Sequence, residues 1–199
     1  MGKHRAPDAD PTDFDAATSA LVDVSGDYEI DAAHTRIGIR ARHAMVTTVR
    51  GSFTEFAGTA HLDTAHPPAS TVTLRIRTAS IDTGQPDRDA HLRSADFLDV
   101  ETYPEIVFVS TDVEQVEADV FTVTGDLTIR GTTQPVSVDF TLTGSAKDPF
   151  GQTRVGFEGA VAIKRSDWGL TWNTPLDTGG VLVSDRIQIE FDVSAVRVH

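Results

Sequence analysis

Residues 71–112 read TVTLRIRTASIDTGQPDRDAHLRSADFLDVETYPEIVFVSTD, and the choice of fold turns on them. In front, Val72, Leu74, Ile76 and Thr78 alternate with Thr73, Arg75 and Arg77; behind, Ile106, Phe108 and Ser110 alternate with Val107 and Val109. Period two places each set on one face of a half-buried strand. Residues 81–104 between them have no strand pattern. They gather Arg88, Asp89, His91, Arg93, Asp96 and Asp99 around Leu92, Phe97 and Leu98. Pro86, followed by Asp87 and Asp89, suits the first turn of a helix, so one short helix is predicted over about 86–94. A connection past ~12–15 residues is uncommon in a compact domain, and points to function or to closure of the fold.

Outward from this stretch the same alternation recurs. Residues 35–43, 51–62, 119–129, 135–144, 154–164 and 185–196 read as strands, with a shorter piece at 28–31. The apolar parity changes between Phe53 and Phe56, which predicts a bulge. No amphipathic helix of crossover length separates consecutive strands, so sequential antiparallel pairing is expected. Strands this long without edge-blunting devices favour closure, and the expectation is an all-β, eight-stranded antiparallel up-and-down barrel with one or two short helices in its rim loops. Parity then gathers the connections at 44–50, 81–104, 130–134 and 165–184 on one rim, and three polar turns near Asp63, Asp112 and Ser145 on the other. One elaborated rim suits either the mouth of a binding vessel or a plug.

Composition narrows the partners. A net charge of −13, with no offsetting basic cluster, repels nucleic-acid phosphates and anionic bilayers. The absence of cysteine removes disulfides, thiolate catalysis and Cys-ligated zinc together. The start, MGKHRAPDADPTDFDAATSAL, lacks the apolar core of a secretion signal, so a cytoplasmic protein is expected, without a membrane span. Residues 1–24 are polar and acidic and read as a disordered or loosely attached arm, leaving 25–199 as the barrel domain. A homodimer is compatible with these features.

The candidate chemistry sits on the elaborated rim. Arg88 and His91 could meet a headgroup or pair with Asp96 or Asp99; Arg165 could balance an anion or a buried Asp. Trp168 and Trp172 place two rings with polar N–H handles near the same mouth. Of seven histidines, His34 and His43 stand about 30 Å apart at strand rise, and only His43 and His91 could converge. No spacing supports a metal site, and Ser94 and Ser166 lack any nucleophile-elbow context.

One resemblance covers most of the chain. Asp31-x-x-His34-Thr35, His43, Gly51-x-Phe53, Ile81-x-Thr83, Arg88-Asp89-x-His91-Leu92-x-Ser94-x-x-Phe97-Leu98-Asp99, Tyr103-Pro104, Gly125-x-Leu127-Thr128-x-x-Gly131-x-Thr133 and Arg165-Ser166-Asp167-Trp168-Gly169 stand in order over 28–198. In these the chain resembles the YceI-like family. The resemblance implies an extended, lipocalin-like barrel whose elongated cavity binds an amphiphilic long-chain molecule, a polyisoprenoid or isoprenoid quinone, without a required cofactor and without catalysis. The family usually has Phe where this chain has Trp168, and many relatives carry a secretion signal.

The resulting expectation is a carrier for one long-chain isoprenoid-type lipid. Its apolar tail would meet Ile39, Phe56, Leu74, Ile76, Phe97, Leu98, Phe108, Phe157, Val161, Trp168 and Phe191, and its headgroup His43, Arg88, His91 and Arg165. Gly58, Ala60, Gly125 and Gly159, set opposite large residues, would leave the channel open. Each buried five-carbon unit would contribute roughly 2–3 kcal/mol. Two alternatives stand beside this: an enzyme acting on such a lipid through rim His and Asp residues, and a filled barrel with a stress-related interaction role.

Overall fold

The alternating segments become strands in a computed structural model that describes residues 23–177 and 179–198. In chain order they are Gly26–Ile30 (β1), Arg36–His43 (β2), Thr47–Phe53 (β3), Phe56–Leu62 (β4), Thr71–Arg77 (β5), Ile81–Asp82 (β6), Glu105–Gln115 (β7), Val120–Ile129 (β8), Thr132–Lys147 (β9), Thr153–Lys164 (β10) and Val183–Arg197 (β11). All their pairings are antiparallel. The order β1-β4-β5-β7-β8-β9-β10-β11 closes through β1–β11 into an eight-stranded barrel.

The count of eight survives eleven segments because three staves are broken, β5 and β6 forming one of them across the turn at Thr78–Ser80. β1 and β2 form one stave, split by a helical turn at Ala32–His34 that the Asp31 side chain caps. β3 and β4 form the next, split at Thr54–Glu55, where the parity of Phe53 and Phe56 changes. The long β11 bridges both halves of the first stave: Ile187–Asp192 pairs with β2 and Ala195–Arg197 with β1. In the upper half β3 pairs with the short β6, and in the lower half β4 pairs with β5. The single α-helix among the described residues, Pro86–Arg93 (α1), follows β6 there, as the Pro86 and Asp signals require.

Turn chemistry fixes register. Arg130 and Gly131 both take positive φ, 48° and 72°, giving the two-residue primed turn that matches strand twist between β8 and β9. Tyr103 packs over Gly131, where a Cβ would lie 2.8 Å from its ring. This ties the end of the long connection to the rim.

The arm expected at 1–24 lies outside the described residues for 1–22. Within that span Val24 is 3% exposed and its carbonyl accepts from the Tyr28 hydroxyl at 2.8 Å. An apolar side chain buried there removes surface from water.

Candidate ligand-binding site

The long connection forms a cap fixed by its own charges. Arg88 donates through Nε to Thr83 Oγ1 (2.7 Å) and through Nη2 to the Thr83 carbonyl (2.9 Å). The buried Asp89 carboxylate accepts from Thr83 N and Thr83 Oγ1, and Arg93 donates to the carbonyls of Ala79 and Ile81. Neither arginine pairs with Asp96 or Asp99. His91 does, with Nε2 2.9 Å from Asp96 Oδ2. Its ring stands edge-on to Phe97 (5.0 Å) and Trp172 (4.5 Å), so one aromatic cluster joins α1 to the 165–184 loop.

Arg165 is the unusual charge. It is 6% exposed, and its guanidinium donates to the carbonyls of Leu170, Val183 and Ser184, with its carbon 5.9 Å above the Phe97 ring. Among the described residues it has no carboxylate within ion-pair distance. Asp185, whose charge acts on Arg165, spends its oxygens on Ser166 instead. Burial pushes the Arg165 pKa below its ordinary value, and Asp185 opposes this weakly. Trp168, 3% exposed, donates its indole N–H to the Leu127 carbonyl at 3.0 Å.

Beneath this cap lies an apolar cavity of about 530 Å³. Within it the structure brings together Ile39, Phe97, Leu98, Trp168, His43, Arg88, His91 and Arg165, eight of the residues that the sequence singled out. Leu74, Phe157 and Phe191 line a second, lower cavity of about 130 Å³, and Phe56, Ile76, Phe108 and Val161 line neither. The interior is therefore two chambers and not one open channel. The glycines do not hold it open. The ring of Phe108 lies where a Cβ of Gly125 would be, 2.5 Å away, and that of Phe140 where a Cβ of Gly159 would be, 2.7 Å away.

Residues absent from the expected set also line the upper cavity, chiefly Ile129, Ile163, Ile187 and Ile189 on the strands and Leu170 in the loop, and Trp172, expected near the mouth, lines it too. The strand isoleucines share the inward parity of predicted residues. Their height along the stave was the missing information. Leu170 lies in a loop without periodicity, which offers no such signal.

Four of the described histidines, His34, His61, His66 and His91, each approach one aspartate. No group of three His, Asp or Glu among the described residues is arranged to hold a metal ion. No helix among them is long and apolar enough to cross a membrane.

The YceI-like domain matches residues 28–195. The chain belongs to the YceI-like family. It is similar to protein YceI of Escherichia coli O157:H7, 40% identical over 149 residues that cover 74% of this chain and 78% of that protein. Among solved structures, Burkholderia cenocepacia BcnA superposes with a TM-score of 0.73 at 27% identity, over 83% of this chain and 98% of BcnA. A polyisoprenoid binding domain from Saccharophagus degradans, at 15% identity and a TM-score of 0.66, shares the fold over 86% of this chain and 98% of its own.

Proposed function

We propose that the chain is a carrier holding one amphiphilic long-chain isoprenoid lipid, a polyisoprenoid or an isoprenoid quinone. The tail lies in the upper cavity and the headgroup at its mouth. The observation that carries this reading is the distribution of polarity in that cavity. Its strand walls are hydrocarbon, while Arg42, His43, Arg88, His91 and Arg165 all line its upper part against a single acid, Asp87. In a chain of net charge −13 such a mouth is selective. Arg42, Arg88, His91 and Arg165 are held by Thr48, Met45, Thr83, Asp96 and loop carbonyls, so the imidazole of His43 is the donor offered to an acceptor-rich head, the oxygens of a quinone or of a prenyl phosphate, beside an apolar wall for the hydrocarbon tail. A volume of about 530 Å³ falls within the ~300–1,000 Å³ typical of small-molecule sites. The polyisoprenoid binding domain that shares this fold supports the same ligand class.

The chain supplies its own reporter. Its two tryptophans, Trp168 and Trp172, both line this cavity. Titration with an isoprenoid quinone should quench tryptophan emission saturably at one equivalent, and geranylgeraniol should relieve the quenching by competition. Emission that falls only linearly with quinone concentration, with no competition, would overturn the reading.

A further inference from the structure

The two chambers share no lining residue, and a band of side chains keeps them apart. On β8 Ile129 faces the upper chamber and Val123 the lower; Leu127 and Gly125 between them face neither. On β10 Ile163 is above, Phe157 below, and Val161 and Gly159 are between. On β11 the change comes between adjacent inward positions, Ile189 above and Phe191 below. We propose that this waist, built from Phe108 seated on Gly125 and Phe140 seated on Gly159 and packed against Phe191, is a length stop that sets how many isoprene units the carrier accepts.

The inference rests on the lipid-carrier reading and deepens it. Phe140 and Phe191 contact each other with ring centroids 5.4 Å apart, and Val136, Val138 and Leu127, all buried, complete the band beside Phe108. Inward positions on one strand repeat about every 7 Å, so a floor two positions deep on β8 and β10 is as thick as a packed side-chain layer. Interiors packed to crystal-like density yield little without rearrangement. The glycines matter because only a residue without a Cβ lets each ring lie against the neighbouring strand: Phe140 faces Gly159 directly across the β9–β10 ladder. An apolar cavity of ~150 Å³ takes one benzene, a group close in size to an isoprene unit. On that scale the upper chamber, about 530 Å³, holds roughly three or four units and the lower, about 130 Å³, about one. A tail of four units ends at the waist.

The test is a length series of geraniol, farnesol, geranylgeraniol and geranylfarnesol, competed against the quinone probe. Wild-type protein should gain affinity with each unit up to geranylgeraniol and less than about twofold from the next. Phe108→Ala and Phe140→Ala, which remove the rings, should make geranylfarnesol bind tighter than geranylgeraniol by roughly thirtyfold or more, the gain expected from burying one further five-carbon unit. Should either alanine variant fail to fold, Phe108→Leu keeps an apolar filler while removing the ring. Ile189→Phe, which raises the floor of the upper chamber, should move the preference to a shorter tail. Binding with the same length preference in wild type and all variants overturns the waist alone. Failure of every member of the series to bind overturns the carrier reading, and the waist with it.

Discussion

Arg165 shows how one residue can organise a mouth. A guanidinium taken out of water must find acceptors, and this one takes three carbonyls from two ends of the 165–184 loop, latching Leu170 to Val183 and Ser184. Truncation to methionine takes this donor from the Leu170 and Ser184 carbonyls, while Val183 keeps its bond from Asn173 Nδ2, so Arg165→Met should cost about 1–3 kcal/mol in urea unfolding, read as a lower midpoint at unchanged slope. Arg165→Lys, with a point charge in place of the planar fork, should recover only part of this. An unchanged midpoint in both would mean that the latch is ornamental. The sequence made Arg165 visible as a rim cation but could not say what it meets, because its partners are backbone atoms that every residue carries. Gly125 and Gly159 were misleading in the same way. Small residues opposite large ones suggest a void, whereas Phe108 and Phe140 lie over them; the rotamers of those rings are set by packing that the one-dimensional pattern does not contain.

At the scale of elements, the lower rim is held by a cluster joining the β9–β10 hairpin to the break in the first stave. Arg154 pairs with both Asp31 and Asp148, and Asp148 also accepts from Phe150 N and Gln152 N. The Arg154 hydrogen bond, followed by that of His34, lowers the Asp31 pKa from 3.8 to about 2. Because the folded carboxyl titrates below the unfolded one, its contribution is full above about pH 4 and is lost as the pH falls through about 2. Arg154→Met should therefore be less stable than wild type at neutral pH, with the gap closing between about pH 4 and about pH 2 in thermal melts. A gap constant with pH would contradict the assignment. Elements were the level at which the sequence was most informative. Alternation marked out the strands, the Phe53 to Phe56 parity change marked the stave break, and Pro86 with its two Asp residues located α1. What alternation could not carry was height: Ile189 and Phe191 share one inward face yet belong to different chambers.

For the whole molecule, closure explains why the site lies where it does. A barrel closed through β1–β11 has few free edges, so its variation is confined to the ends, and parity sends the long connections to one of them. Those connections form a cap whose charges mostly secure it: Arg88, Asp89 and Arg93 are all committed to Thr83, Ala79 and Ile81. Under the cap the chain leaves about 530 Å³ of apolar space, far more than the stray voids of a packed core. A filled barrel would show no such chamber. Apolar space of this size favours occupancy by a tail whose every buried CH₂ contributes about 0.8 kcal/mol.

Native mass spectrometry of the purified protein, followed by denaturation and organic extraction of the same sample, addresses lipid carriage without intermediaries. A carrier should show one added mass per chain that is released on denaturation and extracted as an isoprenoid lipid, or, in protein stripped beforehand, should take up one equivalent of geranylgeraniol. Protein that carries no lipid as purified and takes up none after stripping would contradict lipid carriage.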